Sequence, residues 1–260
     1  MLVFVLTGCG TGTVDSSSTG FWDRYVVYYF GEAIKLLSFK GNKGLGIILF
    51  TLIVRLLLMP LMNYQMKSMR KTQELQPKLK ELQQQYSSKD ADTVRKLQEE
   101  QQRLYNENGV NPLSGCLPML VQLPIMMAVW QSISRVPELT QGHFLWLELG
   151  VADPTYILPV LAAIFTFIST KLTSMSQAAD TPNAMKSMTY VMPLMILFMG
   201  VKLASGLSLY WVVSNAFQVV QTLIINNPYA IKQEREAEEQ RKRDLERALR
   251  KANMSNKKRK

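Results

Sequence analysis

The feature that most constrains this chain is an apolar run at residues 44–62, GLGIILFTLIVRLLLMPLM, with one arginine, Arg55, inside it. A membrane-spanning helix needs about 20 mostly apolar residues, so the run predicts a transmembrane helix. An arginine at the centre of such a helix costs about 2.5–3.5 kcal/mol on insertion scales, so we expect its side chain to face protein or water. The alternative is a side chain that extends to the nearer membrane surface. Other apolar runs contain no Asp or Glu, which excludes an ion-pair partner for Arg55 within them.

Four more apolar runs predict an all-α, polytopic membrane protein, a class that fits 47% hydrophobic and 19% charged residues. The third and fourth runs are short, since fourteen helical residues rise about 21 Å against a hydrocarbon core of about 30 Å. Either their ends are buried or extended by lysines, or the bilayer is locally thin. The five predicted spans cover residues 44–62, 113–135, 155–171, 188–202 and 205–226.

The distribution of Lys and Arg predicts the orientation of these spans. Segments 63–112, 171–187 and 226–260 hold 9, 2 and 12 Lys/Arg residues, whereas the loop 136–153 holds none. Because cytoplasmic loops are enriched in Lys and Arg, the N-terminus is expected outside and the C-terminus in the cytosol of a bacterial plasma membrane.

The first 20 residues are expected to form a lipobox and a tether. Leu6-Thr7-Gly8-Cys9 has the form of the signal-peptidase site of bacterial lipoproteins, so Cys9 is the predicted site of lipidation, with palmitate as the expected acyl chain. The basic region of a full signal peptide is absent, so either the start is truncated or the match is due to chance. The second cysteine, Cys116, lies at the head of the second span, and no disulfide is expected.

Residues 21–43 predict an amphipathic helix on the outer interface. Its apolar positions fall at helical spacing, and its charges make a span improbable. These positions are Val26, Tyr29, Phe30, Ala33, Leu36 and Leu37.

The polar segment 63–112 predicts an antiparallel hairpin of two amphipathic helices, with Pro77 starting or kinking the first. Such an arm either docks on another helix or only connects two spans. The tail, residues 227–260, is basic and suggests an anionic partner, such as lipid headgroups or RNA, or is merely solvated. The apolar positions of the hairpin are Leu75, Leu79, Leu82, Tyr86, Val94, Leu97 and Leu104.

No enzyme signature is found, and no metal or other cofactor is expected, because His143 is the only histidine and is predicted in an outer loop (136–154). The spans instead carry neutral polar residues at helical spacing. Such residues usually join helices to one another, but with Arg55 they could also line a wet cavity that attracts acidic peptide. In the fifth span they are Ser208, Trp211, Asn215, Gln218 and Thr222; in the third Thr166, Ser169, Thr170 and Thr173; and in the second Gln122.

These motifs together resemble the YidC/Oxa/Alb insertase family, most closely its lipoprotein branch in Gram-positive bacteria. The resemblance rests on Arg55 with Leu-Met-Pro-Leu at 58–61, Gly-Val-Asn-Pro-Leu at 109–113 and Leu-Val-Gln-Leu-Pro-Ile at 120–125. Phe-Leu-Trp at 144–146 and Gly-Leu-Ser-Leu-Tyr-Trp at 206–211 add to it.

The resemblance implies a membrane protein insertase and chaperone with five helices around a hydrophilic groove that is closed outside. Arg55 is then the positive charge of the groove, Gln122, Tyr210 and Trp211 line it, and Thr170 with Ser169 replaces a longer glutamine of other members. The implied partners are nascent membrane proteins, the Sec translocon, membrane lipids and, through the tail, the ribosome. The chain is expected to act as a monomer.

Two other functions stay open from the residues. A transporter or channel would use Arg55 as an anion site, but no charge relay or repeat is present. A scaffold would use the arm and the tail alone, which leaves Arg55 and the polar stripes unexplained.

Overall fold

The computed structural model describes residues 12–88, 90–111, 117–175, 183–225 and 227–258. This part of the chain is mostly helical, as predicted. A π-helical turn (Asp23–Val27) leads into the first α-helix, a 3-10 turn (Phe39–Gly41) precedes the second, and two short strands pair antiparallel. The elements are α1 (Tyr28–Leu36), α2 (Lys43–Glu74), α3 (Gln76–Gln85), α4 (Ala91–Glu107), α5 (Leu117–Arg135), α6 (Pro137–Thr140), β1 (His143–Phe144), β2 (Leu147–Glu148), α7 (Ile157–Met175), α8 (Asn183–Gly200), α9 (Ser205–Ile225) and α10 (Pro228–Lys258).

Three apolar helical segments of the described chain are long enough to cross a membrane: the one that includes α2, then α7 and α9. Only 22%, 33% and 39% of their most apolar windows are buried inside the protein, so most of this apolar surface must meet lipid or a partner. The apolar helix Ser187–Gly200 is shorter, as the sequence suggested for the fourth span. Helix α5 follows residues outside the described part, and the total of five spans stays a prediction.

Helix α2 does not end with the predicted span at residue 62 but continues to Glu74. Asn42 caps its start, because the side chain accepts a hydrogen bond from the Leu45 N–H at 3.1 Å. Pro60 lies inside the helix without ending it. A proline removes one backbone donor, and the residues that follow it, including Met62 and Met66, are good helix formers, so the helix continues. The thirty-two residues of α2 make a rod of about 48 Å.

Two further helices follow α2 in the segment where the arm is predicted. Pro77 stands in the first turn of α3, so it starts this helix, and Asp90 caps α4 by accepting from the Thr93 N–H at 2.9 Å. The two helices contact each other, and Leu75 and Leu79 are buried. We call α3, α4 and α10 with the adjoining end of α2 the arm end, and the opposite end, with β1 and β2, the β end.

Helix α1 packs on the β end of α2 and α5. Its protein-facing side consists of Val27, Gly31 and Ile34, which are buried. A Cβ at Gly46 would overlap the carbonyl oxygen of Ile34, so α1 and α2 are in close backbone contact there. Tyr29 and Leu36, from the predicted apolar face, are exposed instead. The helix is therefore apolar on two sides, one toward the protein and one away from it.

The β end is closed by the segment that joins α6 to α7. The backbone N–H of Ser205 donates to the Val151 carbonyl at 2.6 Å, and that of Gly206 to Leu149 at 3.0 Å. These bonds occupy donors at the start of α9 that would otherwise be unpaired. Leu149 and Ile133, next to this point, are fully buried. The result is a dry plug between the strands and the first turn of α9.

Arg135, at the end of α5, fastens the start of the described chain to the β end. Its guanidinium forms two parallel bonds with Asp23, at 2.8 and 2.6 Å, and its Nε donates to the Gly12 carbonyl at 2.8 Å. The backbone N–H of Val14 donates to the Arg135 carbonyl at 2.9 Å, and Val14 is buried. We call this set the Arg135 clasp. Cys9 lies in residues 1–11, outside the described part, so its lipidation stays a prediction, and Cys116 lies outside it too.

Candidate functional site around Arg55

Arg55 lies half-buried in the middle of α2, among apolar neighbours. Its guanidinium makes no hydrogen bond or ion pair with any residue that the structure describes. The side chain close enough to interact with it electrostatically is Tyr210 of α9. A neutral phenol cannot compensate a full charge that is removed from water, so the site can accept an anion.

Gln122 and Tyr210, two of the predicted site residues, come together beside Arg55. The Gln122 amide Nε2 on α5 donates to the Tyr210 hydroxyl at 2.8 Å, and Tyr210 is 3% exposed. The phenol oxygen is therefore held in place by a second helix. Because it accepts from Gln122, its own proton is free to bond a further acceptor near Arg55.

The predicted polar stripe of α9 is buried at both ends and half-buried in the middle. Ser208 and Trp211 are buried, and the Ser208 hydroxyl has no hydrogen-bond partner among the described residues. Asn215 is half-buried, and its side-chain amide donates to the Trp211 carbonyl of its own helix at 2.9 Å. Gln218 is half-buried without a described hydrogen bond. Thr222, the last residue of the stripe, is 5% exposed, so the stripe is not open at the arm end.

This stripe is not the side of α9 that meets Arg55. Tyr210 interacts with Arg55, and Gln221 donates to Asn63 of α2 at 3.4 Å. Tyr210 and Gln221 lie on one line of α9, about 100° around the helix from the Ser208 stripe. The stripe and Arg55 therefore lie toward different sides of α9, and their lining of one wet cavity stays a prediction. The helical period predicts that the polar residues share one side of α9, but only contacts between helices show which side of α9 faces α2.

The polar residues of α7 mostly bond to their own helix. Thr170 donates to the Thr166 carbonyl at 2.8 Å, and Thr166 and Ser169 are buried. The Thr170 hydroxyl lies 3.4 Å from the carbonyl of Thr189 on α8, a long contact that links the two helices. A hydroxyl that is already bonded to its own turn offers less to a ligand, so Thr170 contributes less than a glutamine would.

Several buried polar residues of α2 and α9 were not among the predicted site residues. Ser214 lies one turn after Tyr210 on the same line of α9, and its hydroxyl has no described partner. Thr51, one turn before Arg55, is 1% exposed and donates to the Ile47 carbonyl. Gln65 and Gln73 lie on the continuation of α2, where both amide atoms of Gln65 and Nε2 of Gln73 are buried without described partners. Small or neutral side chains give no charge signal, which explains the omission.

Two polar contacts and one electrostatic interaction show that α2 runs parallel to α9 and α10. Gln221 donates to Asn63, Arg70 forms an ion pair with Glu234 at 3.2 Å, and Arg55 interacts electrostatically with Tyr210. The partner advances along the chain each time the α2 residue does. The α2–α9 seam therefore carries polar groups from mid-helix to the arm end, in contrast to the dry plug at the β end.

Asp153 at the β end is a buried carboxylate that is stabilised by hydrogen bonds. Asp153 is 1% exposed, and burial alone would raise its pKa. The backbone N–H of Leu158 and the hydroxyl and N–H of Thr155 donate to this carboxyl and together hold its pKa below the usual range. In the described part of the chain no group of three His, Cys, Asp or Glu residues is arranged for a metal.

Comparison with known proteins places these observations. The sequence profile described as "60Kd inner membrane protein" matches residues 35–234. A membrane protein insertase YidC of Enterococcus faecalis is 64% identical over 257 residues, which is 99% of this chain and 93% of that one. This chain belongs to the YidC family. Relatives named membrane protein insertase YidC 1 are similar as well: that of Lactococcus lactis is 52% identical over 96% of this chain and 94% of the relative, and that of Streptococcus pyogenes serotype M3 is 54% identical over 98% and 94%.

A solved structure supports the same family. It is described as an active YidC insertase crystal structure with the first transmembrane domain resolved, and it is 32% identical to this chain with a TM-score of 0.56. The match covers 79% of this chain and 47% of that chain, so this family member spans about half the length of the solved one. The described relatives are named insertases rather than enzymes.

Proposed function

We propose that this chain is a membrane protein insertase whose polar seam around Arg55 receives the hydrophilic tail of a substrate. Its partners in this function are nascent membrane proteins. The acidic groups of the tail pair with Arg55 transiently, and the apolar helix of the substrate then enters the bilayer. No nucleotide or other cofactor takes part in the step.

The observation that carries the proposal is the uncompensated charge of Arg55. A half-buried guanidinium that only a neutral phenol approaches lacks a carboxylate partner among the described residues. Two opposite unit charges 4 Å apart attract each other by about 4 kcal/mol at an effective dielectric constant of 20. That is enough to hold an acidic tail for a short time, and weak enough to release it.

The asymmetry of the two ends supports one direction of entry. The dry plug around Leu149 and Ile133 blocks the β end, whereas the seam is polar toward the arm end. We place the β end outside and the arm end in the cytosol, as the distribution of Lys and Arg predicts. The driving force is transfer of the substrate's apolar helix into lipid, about 0.8 kcal/mol for each buried CH₂ group.

Other side chains assist the tail along this path. Gln122 and Tyr210 offer bonds next to Arg55, and Ser208, Trp211, Asn215, Gln218 and Thr170 form the remaining walls. Polar walls lower the cost of removing a hydrophilic tail from water.

The further partners follow from the ends of the chain. The α3–α4 arm and the basic α10 contact the Sec translocon and, weakly, ribosomal RNA. Lipidated Cys9 anchors the outer end to membrane lipids, and the exposed aromatic side of α1 rests in the outer interface. A monomer suffices for this mechanism.

The test is insertion into proteoliposomes, followed by protease protection of a substrate with a short acidic N-terminal tail. Arg55→Ala is expected to lower insertion at least about tenfold, and Arg55→Lys to keep most of it, because a charge–charge contact of more than 1.4 kcal/mol is lost only in the first. A substrate whose Asp and Glu are changed to Asn and Gln should depend on Arg55 much less.

The control is Arg95→Ala, which removes an exposed arginine of α4. Equal insertion of the acidic and neutral tails by Arg55→Ala would refute the electrostatic step. Anion flux through liposomes that contain this protein without substrate would favour a channel instead. A loss of function on deletion of 75–104, with Arg55→Ala fully active, would favour a scaffold.

A further inference from the structure

A cavity of about 310 Å³ lies at the arm end, away from Arg55. It is bounded by the last turns of α2, by Thr173 of α7 and by the junction of α9 with α10. Ligand pockets measure about 300–1,000 Å³, so this one fits a few side chains rather than a folded helix.

One polar group in the cavity wall lacks a partner. Gln73 is 8% exposed, and its amide Nε2 makes no hydrogen bond with any described residue. A buried donor without an acceptor costs about 1–3 kcal/mol. Because this nitrogen is itself buried, the Gln73 side chain must turn toward the cavity before a ligand's acceptor can recover that amount. A neutral amide donor suits a peptide carbonyl oxygen.

Part of the wall is apolar and adaptable, while Thr173 and Asn227 add polar groups to it. Met66 and Met69 face Ile231 of α10 across the cavity. Methionine side chains are flexible and polarisable, and they are common at surfaces that accept different apolar partners. The wall therefore accepts apolar side chains without selecting one shape.

The rim of the cavity is charged with both signs. Lys67 and Arg70 lie beside Glu234, and Arg70 pairs with Glu234 at 3.2 Å. A mixed rim does not select an anionic lipid headgroup. It also lies on the polar continuation of α2, beyond the apolar run 44–62.

The cavity shares a face of α2 with Arg55. Gln73 lies 18 residues after Arg55, which is about five helical turns, or about 27 Å. Met62, Met66 and Met69 fall within about 40° of the same line, and all three are half-buried. A chain bound at the cavity is thus aligned with the seam that leads to Arg55.

We propose that this cavity binds a short, extended apolar segment of the substrate polypeptide, whose backbone carbonyl accepts from Gln73, before the tail reaches Arg55. The inference rests on the proposed function and adds a first binding site to it. The partner must be unfolded at that point, because only an extended chain presents a free carbonyl next to apolar side chains.

The experiment uses the full chain in proteoliposomes with a substrate of one transmembrane helix. A diazirine amino acid about as long as methionine replaces Met69, and the same probe replaces Tyr64 as the control. Tyr64 is 69% exposed and lies on the opposite side of α2 from Gln73. After a light pulse, mass spectrometry identifies the adducts.

We expect a substrate adduct at Met69 at least about tenfold above that at Tyr64, and Gln73→Leu should lower it about threefold to tenfold, the value of one hydrogen bond. An adduct with lipid alone, with another part of this chain, or none at Met69 would overturn the proposal. If the substrate crosslinks at Met69 and the Arg55→Ala variant still inserts substrate normally, binding at the cavity is supported and the electrostatic step at Arg55 is refuted. If no substrate adduct forms at Met69 and the Arg55→Ala variant loses insertion, the electrostatic step is supported and binding at the cavity is refuted.

A second variant tests whether the site matters for insertion. Met69→Trp fills the cavity and is expected to lower insertion at limiting substrate by at least about threefold, whereas Tyr64→Trp should not. If both variants insert equally, binding at the cavity is not a step of insertion and the proposal fails. The adduct experiment stands even where Met69→Trp does not fold, since it uses the native wall apart from the probe.

Discussion

The Arg135 clasp gives the sharpest prediction about stability. We consider Arg135→Met, which keeps much of the side-chain length but removes the charge and all the donors. The two bonds to Asp23 and the bond to the Gly12 carbonyl are lost together. Asp23 is left as a carboxylate near the protein surface without its cation.

The magnitude follows from the burial of the pair. The side chains of Arg135 and Asp23 are 11% and 20% exposed. Breaking a fully buried pair costs about 3–5 kcal/mol, and the remaining contact of Asp23 with solvent reduces this to about 2–3 kcal/mol. Because 1.4 kcal/mol is a factor of ten, local opening of the π-turn and α1 should become about 30–150 times more frequent.

The assay is hydrogen exchange of peptides covering residues 21–39, in the purified protein in lipid nanodiscs. Protection of these amides should fall by that factor, while the α7 and α8 amides stay unchanged. Arg24→Met is the matched control, since Arg24 is the exposed neighbour of Asp23. Equal exchange in the two variants would refute the reasoning, because the clasp would then contribute no more than a surface charge.

Three more outcomes follow from the structure. Asp153→Asn should lower the melting temperature at pH 7 by about 3–6 °C, for a loss of about 1–2 kcal/mol of stability. Because the pKa of Asp153 is lowered in the folded protein, the carboxylate stabilises the fold above the ordinary carboxyl pKa and loses this effect as the pH falls. The difference in melting temperature between the variant and the parent protein should therefore shrink below about pH 4. Gly46→Ala places a Cβ against a carbonyl oxygen of α1 and should lower the hydrogen-exchange protection of the α1 amides. Gly20→Ala is the control, because the nearest atom to its added Cβ is 3.8 Å away. Unchanged protection in Gly46→Ala would contradict the close approach of the two helices. Tyr210→Phe should lower insertion about fivefold through the lost bond to Gln122, with the exposed Tyr190→Phe as control, and full activity of the former would remove the phenol from the site.

The centre of the site was predictable because charge in an apolar run is a rare signal. Arg55 stands out in the sequence as the one charge of residues 44–62, and the structure finds no charged partner for it in the described chain. Gln122 and Tyr210 were predicted as site residues from the family motifs, and a hydrogen bond joins them in the structure. The helical spacing of apolar residues also predicted helical elements, and Pro77 predicted the start of α3.

The features that could not be predicted from the sequence depend on contacts between distant segments. Arg135 and Asp23 are 112 residues apart, and nothing local marks them as a pair. The continuation of α2 beyond residue 62 escaped because the polar segment 63–112 was assigned to a separate hairpin. Gln73 reads as an ordinary solvated residue, and only its tertiary contacts bury it.

The unbroken length of α2 has a mechanical consequence. Its β end is fixed where Gly44 contacts Phe144 and Gly46 contacts Ile34, so a tilt of the helix turns about that end. A tilt of about 10° over a rod of about 48 Å displaces the arm end by about 8 Å but Arg55 by only about 3 Å. Pro60 weakens the rod near its middle and allows the far half to bend alone. A pull on the arm can thus widen the space beside Gln73 while the charge in the membrane hardly moves.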